Sequence, residues 1–278
     1  MRILRRVLDI VLDAVKGFVD CSGMFLSAGL AFYTLLYCFP LLLLFVSLLG
    51  YVLDDSSAAL GQVQRIIGSV VPGSERIVAD TIEGFVAKRG LLGFLAASGF
   101  MLFGTFLFGS IRYVLNEVFE VVDRRSILRG VGADVRAMLG TGGLLALTVG
   151  LGSLLVVMFQ LASKFPVVVR WLGPGWDVPS RPLSLFFTGT LLYLLYRVAP
   201  AKTLGTRGLI AASASGVCLF ELSKWAFGFY IETARDYTFF YGALGGLVFF
   251  VLWIYYASSV FIFSAFLGRS LERTRDAR

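Results

Sequence analysis

The chain has no histidine, three cysteines and few charges, and each scarcity removes a class of chemistry. Without His there is no Ser-His-Asp triad, no Cys-His dyad and no imidazole metal site among its 278 residues. Cys21, Cys38 and Cys218 are scattered without C-x-x-C spacing and read as small apolar residues. No Walker A lysine motif is present. Charged residues make up 15% of the sequence, against roughly 25% in ordinary soluble domains. Cys21 to Leu53 is a run of 33 residues with no charged side chain. A helical span of the bilayer core needs only about 20 apolar residues, and a charge buried there costs several kcal/mol. These absences define an integral membrane protein.

What is present agrees. Hydrophobic residues make up 58% of the chain, with 26 Phe and 31 Gly, suited respectively to lipid-facing bulk and to close helix contacts. Charged borders predict an all-α integral membrane protein with six transmembrane helices, at about 24–53, 90–119, 137–163, 182–200, 208–231 and 237–268. The whole of 1–278 reads as a single membrane domain. The fourth span is short, with Arg181 and Arg197 placed to snorkel, and the fifth contains Glu221 and Lys224.

Orientation follows from Lys and Arg. With the N terminus inside, 15 of the 25 fall on cytoplasmic segments and 8 on the opposite side, and Arg112 and Lys224 lie within spans. Both termini are therefore expected in the cytoplasm, in a bacterial inner membrane. The net charge of +7 points to anionic lipid headgroups at the cytoplasmic face rather than to nucleic acid.

Residues 1–20 are expected to form an N-terminal amphipathic interfacial helix rather than a signal peptide, whose apolar core Asp9 and Asp13 would interrupt. Leu4, Val7, Leu8, Val11, Leu12, Val15 and Val19 recur at helical spacing, with Asp9, Asp13, Lys16 and Asp20 on the other side. Anchoring, gating and partner binding all fit such a helix. Residues 54–89 form the one sizeable loop between spans, and two short amphipathic patterns there predict a short helical extracytoplasmic cap, with Ser74 as an N-cap.

Polar residues at membrane depth are the candidate functional positions. Glu221 and Lys224 are three apart on one helical face and able to pair. An isolated charge at that depth is expensive, so the pair is expected to face the bundle interior, a wet cavity or another polar helix. It is either a neutralised clamp or a substrate- or ion-binding site. Arg112, Asn116 and Glu120 step by four along the second span, beside Glu117. That stripe is either a headgroup entry site or a strip of interhelical hydrogen bonds. Pro40, in the middle of the first span, frees a carbonyl one turn earlier and invites a kink or a broken helix. Gly242 and Gly246 form a G-x-x-x-G packing notch, usable within one chain or between copies. No catalytic residue, metal ligand or cofactor is expected.

Four stretches carry a resemblance: LAFYTLLYCFPL from Leu30 to Leu41, RYVLNE from Arg112 to Glu117, FELSKWAFGFY from Phe220 to Tyr230, and YGALG from Tyr241 followed by WIY from Trp253. In this order they resemble the YihY/BrkB family of bacterial inner-membrane proteins, also labelled ribonuclease BN-like. The resemblance runs over nearly the whole chain. It implies a six-helix bundle with cytoplasmic termini. It also implies roles suggested for the family, in transport of lipids or envelope precursors and in serum resistance of a pathogen. The positions matching its motifs are Pro40, Asn116, Glu221, Lys224, Tyr230, Tyr241, Gly242 and Trp253. Where the chain is short, notably in its C-terminal tail, the resemblance does not by itself imply the cytoplasmic interactions of longer members.

Three functions compete at this stage: a transporter or flippase for a lipid or other amphiphilic envelope substrate, a membrane scaffold that binds a partner, and the ribonuclease of the old label. RNA hydrolysis generally requires clustered carboxylates for metal ions, or histidines. Asp123, Asp134 and Asp276 are instead scattered among arginines. The chain is expected to be no enzyme, and transport is the favoured reading.

Overall fold

The computed structural model describes residues 2–54, 89–121, 130, 132, 135–136, 138–140, 180–233 and 235–276. All regular structure among these is helical: α1 (Arg2–Asp20), α2 (Gly23–Asp54), α3 (Arg89–Val118), α4 (Ser180–Val198), α5 (Thr206–Thr233) and α6 (Arg235–Asp276). Their ends fall within about two residues of the borders expected from charge, except in α6. That helix runs for 42 residues, about 63 Å at 1.5 Å per residue. A hydrocarbon core of about 30 Å accounts for half of it. The span predicted to end at Gly268 continues as helix through Arg269, Arg273 and Asp276, because charge ends a membrane span without ending a helix.

Three helical stretches among the described residues are long and apolar enough to cross a membrane: Gly23–Leu41, Gly93–Val118 and Leu247–Thr274. Leu185–Val198 is apolar but shorter. The expected cap falls almost wholly on 55–88 and the third span mostly on 141–163, outside the described residues. So does the packing of Gly242 and Gly246.

The described chain divides into two compact units, 1–31 with 108–278, and 32–107. In the smaller unit α2 continues through Pro40 as one helix, so the proline does not break it. Its ring lies against Gly99 of α3, where an added Cβ would come within 3.1 Å of Pro40 Cβ. Tyr37 meets Phe100 at 5.2 Å, and Tyr33 meets Phe106 at 6.4 Å.

In the larger unit, small residues are buried at the helix contacts alongside a few large ones such as Leu115 and Phe266, while many other large apolar side chains are exposed. Ala14, Ala212, Ala265 and Ser264 are fully enclosed, while Phe25 and Trp225 are 81% and 73% exposed. In water this would be an aggregation surface; in lipid it is the expected arrangement, since helices gain by close backbone approach and not by hiding Phe or Leu. A close backbone approach joins α5 to α6. A Cβ on Gly268 would stand 2.6 Å from the Gly208 carbonyl oxygen and 2.7 Å from Ala212 Cβ. One level on, Gly216 faces Leu192 of α4 and Ser264 of α6. Tyr196 of α4, fully buried, stacks on Phe261 at 4.9 Å. Its hydroxyl donates to the Phe261 carbonyl and lies 2.7 Å from Ser264 Oγ. Other hydroxyls fold back on their own helices, such as Ser258 onto Ile254 and Thr190 onto Phe186, which satisfies polar atoms that lipid cannot.

The N-terminal helix has three faces rather than the expected two. Ala14, Gly17 and Phe18 pack on the C-terminal half of α6, with Phe18 edge-on to Phe263 and Phe266. Leu8, Val11, Leu12, Val15 and Val19 stay exposed on a second stripe. Asp9, Lys16 and Asp20 belong to the third, polar face. The apolar stripe that makes the sequence amphipathic is not the one that binds the rest of the protein.

Candidate functional site: an apolar groove and a polar junction

Two features of the larger unit concentrate chemistry. The first is a groove of 480 Å³ between α5 and α6, lined by Leu222, Ser223, Ala226, Phe227 and Tyr230 of α5 and Leu252 and Tyr256 of α6. The lining is set by helical spacing: 222, 223, 226, 227 and 230 share one face. Of its lining side chains, Phe227 packs against Trp253 with ring centres 5.1 Å apart, and Tyr230 crosses Phe249 edge-on at 5.7 Å. Among the described residues no charged side chain lines it, and Ser223, Tyr230 and Tyr256 supply its hydroxyls. A volume in the usual ligand range of 300–1,000 Å³, apolar walls and a few neutral hydrogen-bonding groups are what an amphiphile requires.

Glu221 and Lys224 do form the predicted ion pair. They lie on the stripe that continues from Val217, the residue that meets Gly189 of α4, and not on the groove face. Each side chain is 40% exposed, less enclosed than the cost of a lone charge in lipid would demand. The pair neutralises itself, and the Lys224 ammonium also sits 5.7 Å from the Phe220 ring centre.

The second feature is a polar junction where α6 runs past the ends of its neighbours. Four residues of α6 reach three elements. Arg269, buried, donates to the Val118 carbonyl at 2.6 Å, at the C-terminus of α3, and pairs with Glu120. Arg273 pairs with the other Glu120 oxygen. Ser270 Oγ donates to Asp13 of α1 at 2.7 Å. Glu272 accepts the Gly205 N–H with both oxygens, at 2.8 and 3.0 Å, just ahead of the α5 N-terminus. A guanidinium at a helix C-terminus and a carboxylate at an N-terminus both lie where the helix macrodipole favours them.

The stripe expected on the second span is divided among different neighbours. Asn116, 7% exposed, accepts the Ala201 N–H at 2.7 Å and so holds the turn between α4 and α5. The Arg112 guanidinium lies against Gly130, where a Cβ would meet Nη1 at 2.5 Å. Glu117 is exposed and takes no part in this; its charge adds to burial in raising the Cys21 thiol pKa. Burial pushes the Glu120 carboxyl up, but the hydrogen bonds and charges of Arg273 and Arg269 outweigh it and hold the pKa below its ordinary value. Sequence reasoning missed Asp13, Ser270, Glu272 and Arg269. The available signal was three polar side chains within one turn of a helix that had just left an apolar span.

Apolar helices of spanning length, large side chains turned outward and no strand among the described residues define a helical membrane protein. A family model described as virulence factor BrkB matches residues 14–278, and the chain belongs to that family. It is 28% identical to a UPF0761 membrane protein of Chlorobium luteolum over 84% of this chain and 53% of that one. Against a UPF0761 membrane protein of Vibrio parahaemolyticus the identity is 30%, over 82% and 71% of the two chains. A third, from Pseudoalteromonas atlantica, is 25% identical over 90% and 82%. The chain spans about half the length of the Chlorobium and Alcanivorax curated relatives that it matches. No solved structure matches.

Proposed function

We propose that this is a six-span protein of the bacterial inner membrane, with both termini cytoplasmic and a helical cap outside. In this reading it moves a lipid or other amphiphilic envelope substrate and catalyses no covalent chemistry. The observation that carries the proposal is the α5–α6 groove: apolar, uncharged among its described lining residues, of ligand size, and formed in part by a stretch of α6 apolar enough to cross the bilayer. A hydrocarbon chain is the chemistry such walls accept, and Ser223, Tyr230 and Tyr256 offer neutral hydrogen bonds to the polar end of the same molecule. The basic cytoplasmic segments attract anionic headgroups to that face, and no nucleic acid enters the account.

Glu221 and Lys224 support a scaffold as the second reading, because their mutual pairing on the α4-facing stripe leaves neither charge in the groove. The test is a photoactivatable phospholipid carried in nanodiscs, with crosslinked peptides mapped by mass spectrometry. Crosslinks to 222–230 and 252–256, suppressed when Ala226→Trp fills the groove, support the carrier. Crosslinks spread evenly over all lipid-facing helices, and indifferent to Ala226→Trp, favour the scaffold.

A further inference from the structure

Glu120 stands where a helix ordinarily ends in glycine. The Val121 N–H bonds the Asn116 carbonyl at 2.8 Å and the Glu120 N–H bonds that of Glu117 at 3.1 Å, the two bonds of a Schellman cap. The cap requires a left-handed residue at Glu120, and its φ is 54°. Glycine meets that requirement freely, whereas an L side chain is disfavoured there. A cap alone gives no reason for glutamate. Its carboxylate does: one oxygen is held by Arg269 and the other by Arg273.

The remaining ties of the junction are of another kind. Asn116 and Glu272 each hold a backbone N–H, and Asp13 holds a hydroxyl. Among the described residues of the junction, Glu120 alone joins two helices through pairs of full charges, and its side chain is 59% exposed. Water and salt reach it. Arg269 is nearly enclosed, and its fork grips the Val118 carbonyl together with the Glu120 carboxylate. Loss of the carboxylate would leave a buried guanidinium with one neutral acceptor, so the whole grip should fail together.

We propose that Glu120, Arg269 and Arg273 form a releasable latch that couples the end of α3 to the C-terminal extension of α6. Closed, it holds the C-terminal end of α3 against α6 as in this structure. Open, it frees both helix ends to separate. The backbone strain at Glu120 and the exposure of its carboxylate keep the closed state only modestly favoured, as a two-state element requires. This stands whether the protein carries lipid or holds a partner.

Spin labels at Tyr113→Cys and Thr274→Cys, with Cys21, Cys38 and Cys218 replaced by serine, report the α3–α6 separation by pulsed electron resonance in nanodiscs. At low salt the latch predicts one narrow distance distribution. About 1 M salt, which shortens the screening length to about 3 Å, should add a longer population. Glu120→Gln and Glu120→Gly should show that population at low salt. The glycine variant relaxes the cap, so its opening would be due to the lost carboxylate alone. A distribution that salt leaves unmoved, or that stays narrow in both variants, overturns the proposal.

Discussion

The α5–α6 contact makes a sharp prediction, because two glycines of the same helix pair should respond oppositely to the same methyl group. Gly268 and Gly228 both lie in helix interiors, where Gly→Ala gains about 1 kcal/mol in backbone propensity. At Gly228 a Cβ meets nothing within 4 Å, so Gly228→Ala keeps that gain. At Gly268 the new Cβ would lie 2.6 Å from the Gly208 carbonyl oxygen and 2.7 Å from Ala212 Cβ, and neither atom belongs to a side chain that can swing away. The helices must part. Overpacking of this kind costs about 1–3 kcal/mol, so Gly268→Ala should be net neutral to about 2 kcal/mol destabilised. The two variants should then differ by about 1–3 kcal/mol, or roughly 2–12 °C in Tm at about 2–4 °C per kcal/mol for a chain of this size class. Tryptophan fluorescence during thermal unfolding in detergent measures the difference. Equal stability of the two variants would refute the close backbone approach on which the α5–α6 geometry rests.

Other outcomes follow from the same contacts. Tyr196→Phe removes a buried hydroxyl bonded to α6 and should cost about 1 kcal/mol in the same unfolding assay, with the 4.9 Å stacking on Phe261 kept. Glu221→Gln and Lys224→Met each strand one charge in lipid and should each lower folded yield, by up to about 3 kcal/mol. The double variant should recover most of that loss, and additive losses would deny the pairing. The Glu120 carboxyl titrates below its ordinary value, so its ion pairs stabilise the fold above the unfolded-state pKa and are lost as pH falls through the lowered folded value. Because that side chain is mostly exposed, the loss should stay within about 1 kcal/mol. It should disappear in Glu120→Gln when pH–stability curves are compared.

Charge made the fold legible and limited how much of the site could be read. A border such as Asp20 or Asp54 marks where a helix leaves apolar surroundings, and α2, α3, α4 and α5 begin and end within about two residues of such marks. The same logic stopped α6 at Gly268, since a hydropathy border cannot distinguish the end of a span from the end of a helix. The junction was hidden for a different reason. Ser270 finds Asp13 and Arg269 finds Glu120 across 257 and 149 positions, and no local period encodes such pairs. The segment that carries the charged pair also supplies part of the groove lining, on another face of the same helix. Phe220 to Tyr230 was singled out for Glu221 and Lys224, yet Ser223, Ala226 and Tyr230, from the same eleven residues, line the cavity. Charged residues draw attention at membrane depth because they are costly, whereas neutral hydroxyls and small side chains that line a cavity carry no such mark in the sequence. Of the two uses expected for Arg112, Asn116 and Glu120, the interhelical one agrees with the contacts of Asn116 and Glu120, but the period of one helix could not say that each turns to a different partner.

The central claim is that a lipidic molecule passes through the α5–α6 groove, and translocation of fluorescent phospholipids in proteoliposomes tests it most directly. Wild-type protein should move label between leaflets, and Ala226→Trp, folded and inserted to the same extent, should reduce movement to the protein-free rate. If correctly folded wild type moves no lipid, across headgroups and with ion gradients imposed, or if Ala226→Trp moves it as fast as wild type, the groove is not the path and the account is contradicted.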